Sequence, residues 1–225
     1  MSLKTSWLGL FSALALFLFS GCFEILEEVT IHENGSGKAT ITLNISQSKT
    51  RLASIMLMDS INGYNVPTEA EIRRHIKELA QKIKETKGVS NVSTVINFDD
   101  YIFALSCHFA TVEALNKVLS SISSKKDAAL IAKKKPFSFD KKRKIFSRNY
   151  HYNIASEFKK IKRDDREILD GASVTTIYRF DKPVLFTKNK DSKLSKSKKA
   201  VFLKVSAEDL VKGRKNIKNQ IQLGK

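Results

Sequence analysis

The sequence predicts an α+β fold, a mostly antiparallel sheet with helices packed on one face. Two patterns carry the prediction. Apolar and polar residues alternate on both sides of "ENGSG" (Glu33–Gly37), and apolar residues recur every three to four positions between Thr68 and Gly88. Strand-like and helix-like stretches are also interspersed and joined by hairpin turns, which suggests an antiparallel sheet with helices on one face.

Each element follows from its residues. In "EILEEVTIHENGSGKATITLNIS", Val29 and Ile31, then Ala39, Ile41, Leu43 and Ile45, alternate with polar neighbours. Asn34, Gly35 and Gly37 between them tolerate positive φ, so the stretch reads as a β-hairpin. "SKTRLASIMLMDSI" places Leu52, Ile55, Met56 and Ile61 in a short helix, and "GYNVP" ends it. In "TEAEIRRHIKELAQKIKETKG", Thr68 and Glu71 form a capping box and Gly88 is a stop signal. Ile72, Ile76, Leu79, Ala80 and Ile83 then make a narrow apolar stripe suited to packing on a sheet.

"VSNVSTVINF" and "YIFALSCHF" read as two strands, and "TVEALNKVLSSI" as a helix with Val112, Leu115, Val118, Leu119 and Ile122 facing inward. Residues 123–136 read as a linker or loose helix. "FSFDKKRKIFSRNYHYN" is a basic hairpin and "EFKKIKRDDREIL" a short charged helix. "ASVTTIYRF", "PVLFT" and "KAVFLKVS" are strands, "KNKDSKLSKSK" an exposed loop, and Ser206 with Asp209 caps a helical turn. "NIKNQIQL" closes the chain as a strand. The expected organisation is an α+β domain over 22–122, the linker over 123–136, and a basic β-rich region over 137–225 that completes the same sheet.

The N-terminus reads differently. "MSLKTSWLGLFSALALFLFSGC" has one lysine, Lys4, about a dozen apolar or small residues, and then acidic Glu24, Glu27 and Glu28. A spanning helix needs roughly 20 apolar residues, whereas a basic start, a short apolar region and small residues at its end mark an export signal over 1–21. "Phe19-Ser20-Gly21-Cys22" resembles the lipobox of bacterial lipoproteins, with Phe19 where leucine is usual. That resemblance implies a diacylglyceryl thioether on the Cys22 thiol, cleavage between Gly21 and Cys22, and fatty acylation, palmitate included, of the new amino group. Two or more chains anchor a protein stably. The membrane is thus the expected partner through Cys22, and Phe23 after it leans toward the outer membrane. With Cys22 lipidated, Cys107 has no partner for an internal disulfide.

The net charge of +17 is unevenly spread. Lys125 to Arg166 contains 15 basic and 5 acidic residues, a local +10, and Lys182 to Lys199 carries +6. Most are lysines, which lack the planar fork that grips phosphate bidentately. An exported protein rarely meets nucleic acid, so none is expected as a partner. Candidate contacts to an anionic lipid surface are Lys133, Lys134, Lys135, Lys141, Lys142, Arg143, Lys144, Lys159 and Lys160.

Chemistry is sparse. Cys107 and His108 are neighbours on a strand and point to opposite sides of the sheet, so they cannot form a nucleophile–base pair. Asp99-Asp100 sit in a turn, where Asp is favoured, and Asp164-Asp165 balance surrounding cations. "ENGSGK" lacks the spacing of a phosphate-binding loop, and no two histidines have metal-ligand spacing. No enzyme, metal or cofactor is expected.

"TIHENGSGKATITLNI", together with "RFDKPVLFTKNKDSKLSKSKKAVFLKVSAEDLVKGRKNIKNQIQL", resembles LppM-type bacterial lipoproteins. The resemblance implies that group's architecture of a glycine-bearing first hairpin and closing strands. The expected function is a non-catalytic envelope lipoprotein that binds a lipid, a glycan or an envelope protein. The alternative is a lipid-carrying module with an apolar cavity between sheet and helices, and an envelope enzyme comes third.

Overall fold

The alternation around the first glycine turn gives β1 (Glu24–Ile31) and β2 (Gly37–Asn44). The computed structural model describes residues 23–61, 63–149 and 171–224. Gly21, Cys22, Lys159, Lys160 and the segment read as a short charged helix lie outside the described residues. After β2 come a single 3-10 turn, α1 (Lys49–Ile55), β3 (Ser60–Ile61), β4 (Tyr64–Asn65), α2 (Glu69–Lys84), β5 (Val89–Asn97), β6 (Ile102–Phe109) and α3 (Val112–Ser121). The rest is α4 (Lys125–Lys134), β7 (Phe137–Asp140), β8 (Ile145–Arg148), β9 (Ser173–Phe180), β10 (Val184–Thr187), β11 (Lys193–Leu194), β12 (Ala200–Ser206), α5 (Ala207–Val211) and β13 (Asn219–Leu223).

Seven strands form one sheet in the order β11-β12-β9-β1-β2-β6-β5. Every pairing in it is antiparallel except β1 with β9, which run parallel from Glu24 opposite Ser173 to Ile31 opposite Phe180. Strands β9, β11 and β12 lie in the same sheet as β1 and β2, β11 forming within the stretch read as an exposed loop. The other late strands do not. β10, β13, β8 and β7 form a separate four-stranded antiparallel sheet. Of the two readings of residues 123–136, linker or loose helix, the helix is the one formed: Lys125–Lys134 is helical, capped by the Ser124 hydroxyl accepting from the Asp127 amide at 3.2 Å. It packs on α3.

Because side chains alternate across a strand, Val29, Ile31, Ala39, Cys107, Phe109, Tyr178, Phe180 and Val201 share one face of the large sheet. The small sheet and α3 cover that face with Phe137, Phe146, Val184, Ile221, Val112 and Leu115. The opposite face carries Glu24, Glu28, Lys38, Thr40, Arg179 and Lys204, with ion pairs Arg179–Glu28 and Lys204–Glu24.

Polar clamps hold the two sheets together. On α3, buried Asn116 donates to the Phe137 carbonyl at 2.8 Å and accepts from the Phe137 amide at 3.0 Å, satisfying the edge of β7. Arg148, at the end of β8, reaches Glu27 on β1 through two hydrogen bonds, Nε at 3.0 Å and Nη2 at 2.8 Å. The Tyr178 hydroxyl donates to the same carboxylate at 2.6 Å. The Arg148 guanidinium also lies 4.6 Å from the centre of the Phe137 ring. Burial opposes its charge, but the Glu27 carboxylate prevails and raises its pKa. Burial, then the Glu27 charge, pushes the Tyr178 phenol well up.

Two substitutions test this packing. Glu27→Ala removes the carboxylate that takes two hydrogen bonds from the buried Arg148 guanidinium and is expected to cost about 3–5 kcal/mol in chemical denaturation; an effect under about 1 kcal/mol would show that the clamp is dispensable. Gly37→Ala would set a Cβ 1.9 Å from the Thr30 carbonyl oxygen and 2.6 Å from Phe109 Cζ. A destabilisation of about 1–3 kcal/mol is expected from that overpacking, read from the same unfolding curves.

Candidate functional site: an apolar groove

The end of the sheet where β1 begins is the proximal end, and the β1–β2 turn marks the distal end. Eight residues of strand separate them, roughly 23 Å at about 3.3 Å per residue. On the core face at the proximal end, the second sheet and α3 give way to a groove of about 530 Å³. That size is ordinary for a ligand cavity, about 300–1,000 Å³.

Its floor is Ile41 and Leu43 of β2 with Phe103 and Leu105 of β6. One wall is Ile72, Ile76 and Leu79 of α2; the other is Leu52, Ile55 and Met56 of α1. No charged side chain lines it, and Asn65 and the Tyr101 hydroxyl are the only polar side-chain groups among the lining residues. Leu43 lies opposite Ile25 in the register, so the groove sits beside the residues that follow Cys22.

The way α2 is seated explains why the space stays open. The capping box forms as expected: Thr68 Oγ1 accepts from the Glu71 amide at 3.2 Å, and Glu71 Oε2 accepts from the Thr68 amide at 2.9 Å. The helix packs on β5 and α3 through its C-terminal half, where Ala80 and Ile83 are buried. Ile72, Ile76 and Leu79, on the same stripe, are only half-buried. Facing them, Ile41 is 40% exposed and Leu43 36%. Such apolar exposure on a sheet face at about 25 cal/mol per Å² is a standing cost that a bound apolar group would remove. At the rim, Phe98 meets Phe103 edge-on at 5.2 Å, and the Arg73 guanidinium lies 4.6 Å from the centre of the Phe98 ring. Beyond α1, Leu57 is 90% exposed and Met58 and Tyr64 about half exposed.

The basic residues singled out from sequence fall at two ends. Lys133, Lys134 and Lys135 close α4, and the Lys135 carbonyl accepts from Asn149 Nδ2 at 3.2 Å at the proximal end. Lys141, Lys142, Arg143 and Lys144 form the β7–β8 turn at the distal end, where Lys144 pairs with Glu33 at 3.6 Å and Arg143 with Asp140 at 3.8 Å. They do not make one face.

Cys107 is buried and His108 exposed on the other side of β6, as the alternation requires. Burial pushes the Cys107 thiol pKa up, away from the thiolate form. His32 was not distinguished by sequence; its Nδ1 lies 3.0 Å from Asp181 Oδ1 and ties the ends of β1 and β9 together. The His32 hydrogen bond lowers the Asp181 pKa. Among the described residues there is no cluster of three His, Cys, Asp or Glu able to hold a metal, and no helix long and apolar enough to cross a membrane.

The groove residues were visible in the sequence only as core positions of a hairpin and two helices. An apolar stripe does not disclose which of its members another element will cover.

No protein-family profile and no curated protein matches the sequence. Among solved structures, the chain is similar to the NMR structure of the folded domain of the Mycobacterium tuberculosis LppM protein, with a TM-score of 0.43 and 13% identity over 89% of this chain and 88% of that one.

Proposed function

We propose that this chain is a bacterial envelope lipoprotein, attached to a membrane through acylated Cys22, that holds a lipid acyl chain in the groove between β2, β6, α1 and α2. The observation that carries the reading is the groove itself: about 530 Å³, lined without a charge, with Ile41 and Leu43 of its floor more than a third exposed. Each methylene moved from water into such a space contributes about 0.8 kcal/mol. A glycan would need hydrogen-bonding groups that this lining does not offer, so the lipid reading is favoured over it. The role is non-catalytic, in keeping with a Cys107 thiol that is buried and a His108 that faces away from it. The envelope location follows from the signal-like residues 1–21, with the outer membrane favoured by Phe23.

The test uses the full-length protein extracted in a mild detergent, with bound lipid identified by mass spectrometry. A lipid is expected to accompany it. Ile41→Ser with Leu43→Ser removes apolar floor from exposed positions, so folding should survive while lipid affinity falls about tenfold or more. Equal lipid content in the parent and the folded double variant would refute an acyl-chain groove.

A further inference from the structure

A second depression lies at the proximal end of the small sheet and is opposite in character. It has a volume of about 460 Å³ and runs between the segment after β10 and the segment leading into β13. Lys188 and Lys190 stand on one side, Lys215 and Lys218 on the other. Arg214 is occupied by Asp209 at 2.6 Å and Glu208 at 3.3 Å. The one acid in the lining, Asp191, pairs with Lys215 at 3.4 Å. Among the described residues, Lys188, Lys190 and Lys218 have no ion partner.

The cleft is braced rather than loose. Buried Asn219 accepts from the Thr187 hydroxyl at 2.8 Å and the Asn189 amide at 3.0 Å, and donates to Ser192 at 2.9 Å. Asn189 Nδ2 donates to the Lys218 carbonyl at 2.9 Å, and the Lys188 amide donates to the Gln220 carbonyl at 2.9 Å. The backbones of Lys188 and Lys218 are thereby fixed on opposite sides of one space.

We infer that this cleft receives the phosphates of anionic lipid head groups at a bilayer surface. Exposed ammonium groups attract a lone soluble anion weakly, and salt screens them beyond about 8 Å. A dense anionic surface presents many phosphates at once, and each lysine near it contributes about fivefold in partition. The cleft is also placed for such a surface. Ser206, whose hydroxyl accepts from Asp209 at 3.1 Å, lies opposite Ser173, which lies opposite Glu24. The cleft therefore sits at the end of the molecule where β1 starts. Lys135, which follows Lys133 and Lys134 at the end of α4, is joined to the cleft through Asn149. The inference takes from the proposed function only the attachment through Cys22 and is independent of what fills the groove.

The test attaches the full chain to vesicles of phosphatidylcholine alone, of phosphatidylcholine with an equal part of phosphatidylglycerol, or of phosphatidylcholine with inorganic phosphate added. Lysine acetylation is then mapped by mass spectrometry, with distal Lys141 and Lys142 as internal reference. Phosphatidylglycerol is expected to protect Lys188, Lys190 and Lys218 about fivefold relative to that reference, and high salt to abolish the protection. Lys188→Gln with Lys190→Gln and Lys218→Gln should also lower the protection of Lys133–Lys135. Equal labelling on both vesicle types, equal protection at both ends, or the same protection from inorganic phosphate alone would overturn the inference. Flotation with phosphatidylcholine vesicles reports attachment separately; a chain that fails to float there yet shows the footprint with phosphatidylglycerol sinks the attachment and sustains the cleft.

Discussion

The molecule is organised by the position of β1. The strand that begins two residues after Cys22 is not an edge or a tether but the centre of a seven-stranded sheet, with β2 antiparallel on one side and β9 parallel on the other. Even the residue before it is engaged, since the Phe23 carbonyl accepts from the Ser173 amide at 3.0 Å. A chain attached through Cys22 would be joined almost directly to a strand paired along its whole length on both sides. That leaves little freedom for the body to turn, so the end of the sheet where β1 starts is the end that would meet the bilayer.

Both sites lie at that end, with contrasting chemistry. The groove is uncharged and sits under α1 and α2, over the β2–β6 side of the sheet. The cleft carries three unpaired lysines among the described residues and sits at the edge of the small sheet. At the distal end some of the charges are paired. Lys144 and Lys182 both reach Glu33 at 3.6 Å, Arg143 meets Asp140, and His32 meets Asp181. Lys141 and Lys142 of the β7–β8 turn have no ion partner among the described residues, so unpaired lysines stand at both ends of the molecule. Under the proposals above, a bilayer would supply a partner for each proximal site: hydrocarbon for the groove and phosphate for the cleft.

Local signals proved legible and long-range ones did not. The hairpin around Gly35, the Thr68–Glu71 capping box and the opposite facing of Cys107 and His108 depend on neighbours within a few positions, whereas α2 ends at Lys84 and Gly88, at φ 86°, shapes the turn into β5. The parallel pairing of β1 with β9 joins residues about 150 apart, and nothing in either strand's alternation names its partner. The same limit hid the second sheet, because β7, β8, β10 and β13 are four- or five-residue strands whose pattern fits either sheet. Residues 123–136 read as a linker or loose helix because their lysines outweigh a weak apolar stripe; contact with α3 and the Ser124 cap make most of that stretch a helix. The groove was concealed for a related reason. Ile41, Leu43, Ile72 and Ile76 follow core patterns, and only the seating of α2 at its C-terminal half leaves them facing an open space.

Intact mass of the native protein extracted from its membrane tests the central claim, attachment at the head of the central strand, most directly. The account predicts a polypeptide of residues 22–225 carrying the added mass of a diacylglyceryl group and an N-terminal acyl chain, and loss of that mass in Cys22→Ser. A chain that still contains residues 1–21, or one whose Cys22 carries no lipid, would contradict it.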